Sequence, residues 1–231
     1  MYTQSPSLGA LDFAEGVRLA IRRVYLWMAV GLFVTAAVAY VASTLPRALL
    51  GVLILPAIVL ELVVVIGLSA LINKLSPAVA SLAFFFYAAL NGITLSVIFL
   101  VYTGASIAFA FAATASMFAA MSIVGYTTKT DLTKFGSLLF MGLIGLLVAS
   151  VINMFFASSV LYWIISFAGV VLFVGLTAYD TQRIKTMTEQ AVLAGDVQAE
   201  GRVGVMGALR LYLDFVNLFL MILRIAGGRR K

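Results

Sequence analysis

Seven long apolar runs, separated by short polar breaks, decide most of what this 231-residue chain can become. They cover residues 24–43, 48–72, 78–102, 105–126, 135–156, 160–180 and 203–226. A helix crosses the hydrocarbon layer with about 20 apolar residues, so each run is long enough. Strand-like alternation is absent, and the runs are too long for barrel strands. No soluble domain could bury a chain that is 64% hydrophobic and 10% charged; soluble domains carry roughly 25% charged residues. The expectation is an all-α polytopic membrane protein with seven transmembrane helices in one domain, 24–226. Ahead of it, 1–23 reads as a cytoplasmic segment, with 1–10 disordered and 11–23 a short surface helix leading into the first span. Residues 227–231 form a basic tail, and the first residues lack the pattern of a signal peptide.

The residues that are missing narrow the chemistry. The chain has no cysteine, which excludes disulfides. It has no histidine, which removes the commonest metal ligand and general base, and with them Ser-His catalysis and HExxH metalloprotease chemistry. No resident cofactor is expected. The net charge of +6 needs no nucleic-acid partner, because it matches anchoring charges beside a bilayer.

Those charges also orient the chain. With the N-terminus inside, the inner loops hold Arg18, Arg22, Arg23, Lys74, Lys129, Lys134, Arg183, Lys185 and Arg202, and the outer loops hold Arg47. That is a positive-inside pattern with a cytoplasmic N-terminus. The tail runs against it: a full seventh crossing puts Arg224, Arg229, Arg230 and Lys231 outside. The choice is between a full crossing and a re-entrant helix, and late helices tolerate the exception, which favours the crossing. Residues 183–202 read as the one polar loop long enough to carry regulation.

Acids inside the runs are scarce, and an ionisable group in hydrocarbon is a functional-site hypothesis by default. Asp180 closes the sixth run, where it could also be merely solvated, since Arg183 and Lys185 follow at once. Asp214 lies about 11 residues, or roughly 16 Å, into the seventh. Arg210 precedes Asp214 by four residues and Asn217 follows by three, so the three share one helical face. An Asp–Arg pair of this kind also serves as plain interhelical glue. Glu61 is a third acid, near the middle of the second run, with no cation within a turn. Asp180 and Asp214 can meet if the last two helices pack together. Two carboxylates in one dry site do not both ionise easily, and their protons leave in steps that belong to the pair. Arg210 adds a cation to that balance, so the residues leave the sign of any pH response open.

The stretches Ala178-Tyr-Asp-Thr-Gln-Arg-Ile-Lys185 and Leu211-Tyr-Leu-Asp-Phe-Val-Asn-Leu-Phe219 resemble those of the Bax inhibitor (transmembrane Bax inhibitor motif) family. Asn91-Gly-Ile-Thr-Leu-Ser96 and Gly125-Tyr-Thr-Thr-Lys-Thr-Asp-Leu-Thr-Lys134 support the resemblance, which covers nearly the whole chain after about residue 20. The resemblance implies a seven-helix fold with the last helix central. It implies a pH-sensitive calcium leak whose sensor is the pair Asp180 and Asp214, with Glu61 along the ion path. It also implies a bacterial cytoplasmic (inner) membrane location. Relatives carry arginine at the inner end of the second helix, engaging the aspartates; here that region reads Leu71-Ile-Asn-Lys74. Arg210 is expected to take over part of that locking role.

These residues frame the functional expectations. The first is a calcium-permeable leak channel with Asp180, Asp214 and Arg210 as sensor and gate. Glu61 and Asn217 line the path, and the three acids hold calcium transiently, since carboxylates suit a hard cation. The second is a regulatory protein that binds membrane proteases or cell-death factors through 183–202 or the tail. A proton-coupled cation antiporter is a further alternative. Enzymatic activity is not expected: Tyr179-Asp180 fits half of an intramembrane aspartyl protease, but no Gly-x-Gly-Asp accompanies it. The partners expected are the lipid bilayer, calcium, protons and another membrane protein.

Overall fold

A computed structural model describes residues 8–228, with side chains from residue 12 onward. The helices are α1 (Leu8–Ser43), α2 (Arg47–Leu71), α3 (Pro77–Leu95), the short α4 (Val97–Val101) and α5 (Gly104–Thr127). A 3-10 turn (Leu132–Phe135) leads into α6 (Gly136–Phe156), α7 (Ser159–Leu193) and α8 (Val197–Ala226). Among the described residues there is no strand, and seven helical segments are long and apolar enough to cross a membrane. The third of them joins α3 and α4. The disorder expected over 1–10 lies, for 1–7, outside the described residues, whereas 8–10 already belong to α1. Basic residues 229–231 also lie outside the described residues.

The turns are built from caps. Ser76, Thr103 and Ser158 each accept a hydrogen bond from the backbone N–H three residues on, and Asp196 accepts from Gln198 and Ala199. Such caps satisfy donors that a helix start otherwise leaves orphaned. Pro46 stands immediately before α2, and Pro77 is the first residue of α3, where a missing N–H costs nothing.

The length of the helices bears on two expectations and corrects the second. Residues 11–23 are helical and lead into the first span without a break, because α1 runs from Leu8 to Ser43. Residues 183–202 are not a loop: α7 continues to Leu193 and α8 starts at Val197, leaving a three-residue turn around Gly195 (φ 63°). The reason is a helical stripe hidden in a polar composition. Ile184, Thr188 and Ala191 are buried on α7, and Val17, Ala20, Ile21 and Val24 are buried on α1. Both sets recur at helical spacing, which marks one covered face. Gly16 lets α1 approach Val192, and Arg23 reaches Glu200 of α8 at 3.7 Å.

α8 is the central element. It packs against α7, α1, α5 and α3, while α6 leans on α7 and α2 on α3. It runs the length of the bundle and is fastened at both ends. At the start of α8, Arg202 donates to the carbonyl of Asn73 (3.1 Å), and Gly201 lies against Pro77, both at the α2–α3 turn. At its far end Gly228 donates to Ser106 Oγ (2.9 Å) and accepts from Thr103 N–H (3.2 Å), at the start of α5. Arg224 therefore stands at the end of the bundle remote from Lys74, Lys185 and Arg202.

Candidate functional site

α7 and α8 form an antiparallel hairpin whose register sets the site. Asp180 lies 13 residues before Leu193, and Arg210 lies 13 residues after Val197, so the two are level. Gly207 against Ile184 and Gly169 against Met221 obey the same register. Arg210 Nη1 donates to Asp180 Oδ1 at 3.3 Å. The Arg210 side chain is 33% exposed and that of Asp180 10%, so the contact is charge-assisted and largely desolvated.

Asp180 is thus not a solvated boundary residue. The helix runs on beyond it, and the cations that follow it in sequence point elsewhere. Arg183 donates to Tyr179 Oη (3.3 Å), and Lys185 donates to the carbonyl of Tyr126 (3.1 Å) with its ammonium 4.8 Å from that ring. The next residue, Thr181, is tied to α1 through Tyr25 Oη at 3.2 Å. That link was not read from the sequence, and a threonine beside the aspartate on the buried face is the signal that could have shown it.

Asp214 is buried one turn deeper, about 6 Å further along the hairpin at 1.5 Å per residue. Arg210 does not hydrogen-bond to it, although they share a helix face: the guanidinium crosses to α7 instead. Asp214 lies within electrostatic reach of both Asp180 and Arg210. Its Oδ2 and the Nε of Arg210 are buried without a hydrogen-bond partner. Thr177, on the facing turn of α7, offers no donor, because its hydroxyl bonds back to Phe173 O (2.7 Å).

Glu61 does not join the aspartates. Its Oε1 accepts from Thr94 (2.8 Å) on α3, and its electrostatic neighbours are Tyr87 and Tyr212. Around it runs a second polar chain: Asn91 donates to Tyr87 Oη (3.1 Å), and Tyr212 Oη meets Thr35 (2.7 Å). Asn217 donates to its own helix at Leu213 O (2.8 Å). Lys74 is exposed at the α2–α3 turn. Among the described residues no three Asp, Glu, His or Cys side chains gather as a metal site. Calcium takes six to eight oxygens, so the pair alone falls short of a calcium storage site.

Two stretches singled out in the sequence are packed together here. Gly125 of α5 lies so close to the Ala178 carbonyl that any side chain would overlap it. Gln182 accepts from Leu132 N–H (2.8 Å) and donates to Thr130 O (2.8 Å), which clamps the α5–α6 connection onto α7. In that connection Asp131 accepts from the hydroxyl and N–H of Thr133, and these bonds hold its exposed carboxyl below the usual carboxylate range.

Comparison with known proteins covers nearly the whole of this chain. The sequence model of the family described as "Inhibitor of apoptosis-promoting Bax1" matches residues 17–231. The chain is 50% identical over 220 residues to "Inner membrane protein YbhL" of Escherichia coli K12, covering 93% of this chain and 94% of that protein. It is 45% identical over 216 residues to an uncharacterized protein of Borreliella burgdorferi, covering 91% and 92%. It is 42% identical over 217 residues to an uncharacterized protein of Deinococcus radiodurans, covering 93% of each chain. With seven apolar helices, a central last helix and a match over nearly its whole length, the chain belongs to the Bax inhibitor-1 family of membrane proteins.

Proposed function

We propose that this protein is a proton-sensitive, calcium-permeable leak channel of the bacterial inner membrane. The Arg210–Asp180 pair acts as its closing contact and Asp214 as the ion-facing carboxylate behind it. The observation that carries the reading is an interhelical ion pair one turn from a buried carboxylate oxygen with no hydrogen-bond partner. A closed site of this kind holds α7 against α8 while the pair is intact. Change in the charge of either aspartate alters the attraction and frees the cation-binding oxygens. Glu61, Thr94 and Tyr87 supply a separate polar station on the other side of α8, so the path has two stations rather than one line of three acids. The inner-membrane location is supported by the name of the Escherichia coli relative.

Purified protein reconstituted in liposomes with an enclosed calcium dye tests this between pH 6 and 8. Wild type is expected to pass calcium down its gradient with a pH-dependent rate, and Asp180→Asn and Asp214→Asn to flatten that dependence. Absence of flux at every pH sinks the channel reading. A flux that needs an opposing proton gradient replaces it with antiport. A second reading, docking of another membrane protein, draws on Leu193 and Val197, both more than 70% exposed at the tip of the α7–α8 hairpin.

A further inference from the structure

Beside the aspartate site, two concavities meet at Tyr126. One is a polar cleft of about 460 Å³ between the end of α5 with its connection to α6 and the outer face of α7. Lys129, Arg183 and Lys185 line it, together with Asp131 and Glu189. The other is a groove of about 710 Å³ between α1 and α5, with Phe215 of α8 in its lining. Tyr25 and Met28 form one wall, and Phe118, Ala119 and Tyr126 form the other. The cleft is charged and the groove is apolar, and Tyr126 belongs to both.

The cleft has cationic capacity to spare. Three cations face two carboxylates, and among the described residues none of the three cations is in an ion pair. Asp131 is already engaged by Thr133. Lys185 spends one donor on Tyr126 O, and Arg183 spends one on Tyr179, which leaves most of their N–H groups free. A guanidinium and two ammonium groups lining one cleft suit a phosphate diester, which accepts bidentate bonds from arginine and point charges from lysine. The groove beside it sits at the depth of the apolar α5 surface, where a bilayer offers acyl chains as filling.

We propose that the cleft and the groove together bind one anionic glycerophospholipid. Its phosphate lies among Lys129, Arg183 and Lys185, and one acyl chain lies along the α1–α5 groove. A free phosphate anion would use the cleft alone, and a zwitterionic lipid would use the groove alone. The lipid is the occupant that uses both. None of Asp180, Arg210 and Asp214 lines the cleft or the groove, and lipid retention is read without calcium flux, so the test does not depend on the leak reading.

Native mass spectrometry of the delipidated protein, offered equal amounts of phosphatidylglycerol and phosphatidylcholine, tests the assignment. Phosphatidylglycerol is expected to be retained about tenfold more, roughly 1.4 kcal/mol of preference. Lys129→Gln, at an exposed position, is expected to cut that preference several-fold, and Lys129→Gln with Arg183→Gln to abolish it. Lys134→Gln, a cation nearby but outside the cleft, is expected to leave it intact. Ala119→Trp fills the groove and is expected to lower retention of both lipids. A thermal melt of each variant confirms folding. Equal retention of the two lipids by wild type overturns the proposal, as does a preference that survives the double substitution. Displacement of phosphatidylglycerol by glycerol phosphate at equal concentration also overturns it, because the cleft would then read the headgroup alone.

Discussion

At the scale of single residues, the partner of Arg210 decides what the site can do. A guanidinium four residues from Asp214 on one helix would be a local neutraliser, whereas one that bonds to Asp180 joins two helices. Charge-assisted hydrogen bonds contribute about 1.5–3 kcal/mol, and partial exposure of Arg210 places this one toward the lower end. Arg210→Ser is therefore expected to raise basal calcium flux at neutral pH by about tenfold, which is about 1.4 kcal/mol. A flux and pH profile identical to wild type in the same liposome assay would remove Arg210 from the gate. Asp131 makes a contrasting case. Its carboxyl is held below the ordinary value by the Thr133 hydroxyl and N–H, so its cap is fully present above the ordinary carboxylate value. The cap is lost as pH falls through the lower, folded value. Amide protection over 132–135, measured by hydrogen exchange and corrected for intrinsic rate, is expected to stay constant from pH 6 to 8 and to fall only in strong acid. Asp131 is thus no sensor of pH near neutrality.

At the scale of elements, the α7–α8 hairpin carries the site because its register is set by packing throughout its length. Gly207 admits Ile184, and Gly169 admits Met221. The α5–α7 contact is tighter still. At Gly125 an added methyl meets the backbone carbonyl of Ala178, which no rotamer change can relieve. Gly125→Ala gains up to about 1 kcal/mol of helix propensity, but overpacking against backbone costs about 1–3 kcal/mol, so the overlap wins. A lower apparent melting temperature in detergent is expected for Gly125→Ala. Gly51→Ala, where nothing lies within 4 Å, is expected to hold or raise it. The hairpin also shows where composition misleads. Residues 183–202 are polar enough to read as a loop, yet the periodic burial of Ile184, Thr188 and Ala191 makes most of them helix. Polarity described the outer face of that helix, and spacing described the inner one.

At the scale of the molecule, α8 gathers the bundle and carries its own C-terminal arginine, Arg224, to the end away from the basic loops. The absence of cysteine makes topology directly measurable. Single cysteines at Lys74 and Lys129 are expected to react with an impermeant maleimide from the cytoplasmic side, and cysteines at Thr44 and Ser158 from the other. Labelling of Lys74→Cys and Gly228→Cys from one side would overturn the full crossing of α8. The anchoring charges at Lys74, Lys129 and Lys185 make the prediction of which side is inside.

Much of this was determined by the chain alone. Seven runs of sufficient length leave helices as the only way to satisfy backbone hydrogen bonds in lipid, so fold class and number of spans were legible as hydropathy. The candidate acids were legible too, since Asp180, Asp214 and Glu61 stand out in hydrocarbon. Their partners were not. Helical spacing reports only neighbours on the same helix, which is why Arg210 read as belonging to Asp214. The interhelical register turned it toward Asp180, left an oxygen of Asp214 without a donor, and placed Glu61 with Thr94 on the other side of α8. Those pairings depend on packing between residues 30 or more positions apart, and no local pattern encodes them.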